Sequence, residues 1–83
     1  MVEIAHTSLV ERIARVLAGE VHSSNAQGSN SSAAVEVDVA WPDYTDQAVA
    51  VLHAIREPDQ AAAAAGDAET WHRMIEASIA SAR

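Results

Sequence analysis

Nineteen of the 83 residues are alanine, and that count limits how this chain can fold. A methyl group removes little area from water, so an apolar fraction of 49% overstates the core that can be built. The large apolar side chains fall in three groups. Leu9, Val10, Ile13, Val16, Leu17 and Val21 come early, Trp41, Tyr44, Val49, Val51, Leu52 and Ile55 in the middle, and Trp71, Met74, Ile75 and Ile79 late. A chain this short buries only about 60–65% of the surface that its unfolded form exposes. One small domain over residues 1–83 is therefore expected, its thin core completed by close packing of alanine-rich helices or by a second copy of the chain.

Helical punctuation is clear in most places. Ser8 and Glu11 have the spacing of a capping box, after which Val10, Ile13, Ala14 and Leu17 recur at helical period, and Gly19 is a natural stop. Trp41-Pro42 opens a second helix with Asp43 and Asp46 in its first turn, and Tyr44, Ala48, Val51, Leu52 and Ile55 form its stripe before Pro58. Asp59 is placed to cap a short alanine-rich helix closed by Gly66. Asp67 is placed to cap a last one whose Trp71, Met74, Ile75, Ser78, Ile79 and Ala82 share a face.

Two stretches read differently. Ser23 to Ser32 is polar and small, so a flexible Ser/Asn-rich loop is expected over about residues 22–34. Val35-Glu36-Val37-Asp38-Val39 alternates apolar and acidic residues, the period of a half-buried strand, with Val2, Ile4 and Glu20 to His22 as weak partners. The expected fold is thus mainly α: a small bundle of three main helices plus one short helix, with a short strand or ribbon around Val35–Val39.

Charge is distributed unevenly. The whole net charge of −7 lies between Glu36 and Glu69, where eight acidic residues face Arg56 alone, while the rest of the chain is balanced. Such a field repels nucleic acid and membrane surfaces and attracts basic protein surfaces. No converging catalytic set accompanies it, so no enzyme is expected. The serines form no nucleophile elbow, Gly19, Gly28 and Gly66 form no phosphate loop, and no basic stripe suits direct nucleic-acid contact. Glu69, His72 and Glu76 have a carboxylate–histidine spacing used in di-iron bundles, but the second pair and the facing glutamates are missing. That trio reads as a solvated face, and neither a metal site nor a cofactor is expected. There is no cysteine, no export signal is recognisable and no run is long enough to span a bilayer, so the cytoplasm is the expected location.

The acidic stretch divides under this reading. Asp43, Asp46, Asp59 and Asp67 have duties at helix starts, whereas Glu36, Asp38, Glu57 and Glu69 have weaker ones. A partner-binding surface is accordingly expected to centre on Glu36, Asp38, Asp43 and Asp46, with Glu57 and Asp59, beside Trp41 and Tyr44. Trp71 is expected in the core, and Trp41 is divided between core and interface.

Several blocks carry a resemblance. These are Trp41-x-x-Tyr44 running through Ala48 and Leu52 into Ala54-Ile55-Arg56-Glu57-Pro58, then Trp71-His72-Arg73-Met74-Ile75-Glu76-Ala77, and the opening Leu9 to Leu17. They resemble short, mostly uncharacterised proteins of alphaproteobacteria and their phages or prophages. The likeness covers about two thirds of the chain, omits Ser23 to Val39, and is broken by the polyalanine run Ala61 to Ala65. It implies a small helical fold. It also implies a setting in which small acidic proteins inhibit host defence, an anti-CRISPR protein foremost. Its carboxylates would imitate a phosphate backbone against the basic surface of a CRISPR effector or nuclease. The alternative is a helical structural or regulatory adaptor that homodimerises and inhibits nothing.

Overall fold

A computed structural model describes residues 2–26 and 30–82, with the side chains of residues 23–34 outside the description. Five α-helices follow one another: α1 Leu9–Ala26, α2 Asn30–Ala40, α3 Thr45–Ala54, α4 Gln60–Ala65 and α5 Ala68–Ala80. A 3-10 turn, Trp41–Tyr44, links α2 to α3. The mainly helical expectation holds, and no strand occurs among the described residues.

Local chemistry sets most of the boundaries. The Glu11 backbone N–H donates to Ser8 Oγ at 3.0 Å, fixing the start of α1. Pro42 cannot supply an N–H to the preceding turn, so α2 ends at Ala40 and the chain tightens before α3 resumes at Thr45. Thr45 secures that corner by donating its hydroxyl to the Pro42 carbonyl at 3.0 Å. Helix α3 stops four residues before Pro58, which restricts the backbone of Glu57. Asp59 accepts from the Ala62 N–H at 2.8 Å and Asp67 from the Glu69 N–H at 3.0 Å, so both expected caps are formed.

Three expectations need correction. Gly19 does not end α1, which runs on to Ala26 and takes up Glu20 to His22. Helix also occupies residues 22–26 and 30–34 at both ends of the tract that reads as loop, while residues 27–29 lie outside the described ones. Val35–Val39 is not a strand but the C-terminal half of α2. A lone strand has no partner to take its backbone hydrogen bonds, whereas a helix satisfies them internally and lets α2 lie along α1. Gly19 faces that contact. A Cβ built on it would sit 3.8 Å from Val37 Cγ2, an ordinary van der Waals distance. Gly19→Ala should therefore stabilise the chain by about 0.5–1 kcal/mol, through removal of the glycine penalty within a helix. Thermal unfolding would show a rise of a few degrees, and a fall would mean that α1 and α2 are closer than 3.8 Å packing allows.

The core lies where α1, α3 and α5 meet. Val10, Ala14, Ala48, Leu52, Ile75 and Ile79 form it, with Leu9, Ile13, Trp41, Tyr44 and Val49 packed around them half-buried. Helix α1 also packs on α2 and on the 3-10 turn, and α3 packs on α5. Buried Ala14, Ala18 and Ala48 let the helices approach closely, and Leu52 is the one large side chain among the described residues that is wholly enclosed. Helix α4 contributes nothing to the core. Met74 departs from its expected place on the inner face and is 65% exposed, because Ile75 and Ile79 define the buried line of α5.

Candidate functional site

The eight candidate binding residues do not form one cluster. Helix α3 separates them by its own length, about 15 Å for ten residues. Glu36, Asp38, Trp41, Asp43, Tyr44 and Asp46 lie before or at its start, and Glu57 and Asp59 lie beyond its end.

At the first end, some of the charge is already spent within the molecule. Arg15 donates Nε to Glu11 Oε2 at 2.9 Å and Nη1 to Asp38 Oδ1 at 2.7 Å, clasping α2 to α1. Hydrogen bonding to Asp38 and then to Glu11 raises the guanidinium pKa further above its ordinary value, so the cation is permanent. Its Cζ lies 5.3 Å from the centroid of the Trp41 ring, within cation–π range. His22 Nδ1 lies 2.7 Å from Glu36 Oε2, a second tie between the same helices. Trp41 and Tyr44 are half-buried against the core. Asp43 and Asp46 are exposed, and their carboxylates enter no hydrogen bond or ion pair among the described residues. Asp43 and Asp46 are thus the carboxylates at this end without a partner among the described residues, while Glu36 and Asp38 remain largely exposed beside theirs.

At the other end, Trp71 is 38% exposed rather than buried in the core. Its indole Nε1–H donates to the Ile55 carbonyl at 2.7 Å, satisfying an oxygen left over where α3 ends. Below it lies a cleft of about 340 Å³ lined by Ile55, Glu57, Pro58, Asp59, Ala62 and Trp71, among others. Arg56 sits to one side, donating Nε to Glu57 Oε2 at 3.1 Å and Nη1 to Glu76 Oε2 at 2.9 Å. His72 Nδ1 lies 3.7 Å from Glu57 Oε2 and its Nε2 lies 3.9 Å from Glu76 Oε2. A permanent cation thus already joins the two carboxylates nearest His72. No group of three or more metal-ligating side chains is assembled among the described residues.

Asp67 fixes the start of α5, and so the position of Trp71 four residues on. Its Oδ2 accepts from the Thr70 hydroxyl at 3.0 Å and its Oδ1 from the Glu69 N–H at 3.0 Å. The Thr70 hydroxyl first, then the backbone N–H groups of Glu69 and Thr70, hold the carboxyl below its ordinary pKa. With a folded-state pKa below the unfolded one, its stabilisation is complete above the unfolded value and is lost as pH falls through the lowered one. Asp67→Ala should therefore destabilise the chain at neutral pH, and the gap from the parent should close on acidification through the carboxylate range. Denaturant unfolding at a series of pH values checks this, and a gap independent of pH would refute it.

Sequence reasoning missed Arg15 and His22 as the partners of Asp38 and Glu36, and the cleft below Trp71. Arg15 and Asp38 are 23 residues apart, and no local spacing announces such a pair. Among the described residues, no helix is long and apolar enough to cross a membrane. No protein-family model matches this chain, and no curated protein or solved structure matches it significantly.

Proposed function

We propose that this chain is a binding protein rather than an enzyme, and that it inhibits a host defence system on behalf of a phage or prophage. In its most specific form it is an anti-CRISPR protein. It would act in the cytoplasm of the bacterial host, laying acidic residues on the basic surface of a CRISPR effector or nuclease and so blocking nucleic-acid binding or cleavage. The observation that carries this reading is the acidic corner at the start of α3. Asp43 and Asp46 are exposed there without partners among the described residues, next to half-buried Trp41 and Tyr44 on a turn braced by Pro42 and Thr45. Pre-organised carboxylates beside an aromatic anchor suit a lysine- or arginine-rich surface. The net charge of −7 adds long-range attraction to such a surface. The resemblance to short phage-associated proteins supplies the defence setting.

Expression in a bacterium whose CRISPR system restricts a test phage examines the proposal. Plating should recover towards that on a strain lacking the system. Unchanged plating across the effector types, with folded chain present in the cells, would reject it.

A second reading, a homodimeric structural or regulatory adaptor, draws on a different observation. Val16, Val39 and Met74 are 63%, 76% and 65% exposed, while Leu52 is the only large side chain fully enclosed among the described residues. A second copy could cover such groups. Sedimentation of a stable dimer with no affinity for any effector complex would favour the adaptor.

A further inference from the structure

The molecule contains its own example of how it holds a guanidinium. Arg15 is gripped by two carboxylates, Glu11 and Asp38, and stacks on an indole, Trp41. The far end of α3 has the same kit of parts, an indole and two carboxylates, arranged around an open cleft. There Trp71 stands with Glu57 and Asp59. Among the described residues, the cation stacked on an indole is Arg15 on Trp41, and none lies over Trp71.

The parts at this second place are held in position and retain bonding capacity. The Trp71 ring is fixed by its hydrogen bond to the Ile55 carbonyl. Glu57 uses Oε2 towards Arg56 and His72, and Asp59 uses Oδ1 towards the Ala62 N–H. Glu57 Oε1 and Asp59 Oδ2 therefore have lone pairs to offer among the described residues. The remaining walls are Ala54, Ile55, Pro58 and Ala62, apolar surface suited to the methylenes of a long side chain. A volume of about 340 Å³ is at the small end of ligand pockets, which run from about 300 to 1,000 Å³. It accommodates one side chain; Arg56 offsets part of the Glu57 charge, and Asp59, the second Glu57 oxygen and the aromatic wall select a cation. Guanidinium suits it better than ammonium, because a planar fork pairs with carboxylates and stacks on an indole at once.

We propose that the cleft between Trp71 and α4 is a socket for an arginine side chain presented by the basic partner protein. This rests on the reading of the chain as a binder of basic protein surfaces, and it adds a second contact about one α3 length from the Asp43–Asp46 corner.

The test uses the isotope-labelled whole chain, whose two indole N–H signals report Trp41 and Trp71 separately. The probes are a capped Gly-Arg-Gly tripeptide and its citrulline counterpart, which keeps the shape but loses the charge. The arginine peptide should shift the Trp71 indole signal saturably, leave that of Trp41 in place, and bind at least about tenfold more tightly than the citrulline peptide. Glu57→Gln with Asp59→Asn should weaken binding by about tenfold, and asparagine preserves the cap on α4. Asp43→Asn with Asp46→Asn removes the same charge at the other end of α3 and should change the affinity by less than about twofold. Ala62→Leu should close the socket and abolish the shift. Equal binding of citrulline, equal loss from the two double variants, or a shift that survives Ala62→Leu would overturn the proposal. A stationary Trp71 signal with movement of the Asp43 and Asp46 amides would overturn the socket while leaving the basic-partner reading intact. If neither region responds, the socket is refuted, and the partner reading is judged separately by phage plating.

Discussion

Leu52→Ala should lower the unfolding free energy by about 2–5 kcal/mol, the range for deleting a leucine from a closed core. The reason is specific to this chain. Leu52 is 0% exposed, and its buried neighbours include Ala14 and Ala48, whose methyl groups cannot swing into a vacated space. Relaxation of the helices towards one another is the main route to filling the cavity. A domain of this length has on the order of 4–12 kcal/mol of stability to lose. Thermal circular dichroism should therefore show a midpoint lowered by more than about 10 °C, or a chain already partly unfolded at room temperature. Met74→Ala on the neighbouring face of α5 is the control. At 65% exposure it should stay within about 0.5 kcal/mol of the parent. A Leu52 variant that loses no more than the Met74 variant would place the core elsewhere, as in a chain completed by a second copy.

What the sequence made legible follows from how locally each feature is determined. The starts of α1, α4 and α5 were readable because Ser8, Asp59 and Asp67 bond to N–H groups two or three residues away. The line Ile75–Ile79 was readable for the same reason, since helical spacing alone places both residues on one face. Helix α2 was not. Its Val35–Val39 alternation satisfies the period of a strand, and the decision went to helix through partners 14 and 23 residues earlier in the chain. These are His22 for Glu36 and Arg15 for Asp38. Gly19 misled in the same way. Its lack of a side chain reads as a stop signal, yet it lies within α1 against Val37. The candidate site was half legible. Its carboxylates were identifiable by charge, but which of them remained available depended largely on pairing with residues distant in sequence, Arg15, His22 and His72. The role of Trp71 as one wall of a cleft depended on where the α3–α4 connection passes, which no spacing encodes.

That same pairing makes the charge-reversal experiment discriminating. Reversing Asp38 would set a lysine against Arg15 and open the α1–α2 clasp, and reversing Asp59 would remove the cap of α4, so either variant would confuse folding with binding. Asp43→Lys with Asp46→Lys disturbs neither contact. Its cost in stability is confined to the dipole at two helix starts, about 0.3–1 kcal/mol for each residue. Against a basic surface, each substitution removes an attraction and installs a repulsion. For exposed pairs each of these is worth up to about 1 kcal/mol. If the proposed target is a CRISPR effector complex, two positions together should weaken binding to it on the order of a hundredfold at low ionic strength, mostly through slower association. The difference should shrink as salt approaches the range where the Debye length falls below about 8 Å. In cells, the variant should lose most of its protection of phage while remaining helical by circular dichroism. Protection equal to that of the parent would remove Asp43 and Asp46 from the binding surface. The exposed valines and Met74 would then be the better place to look for the contact.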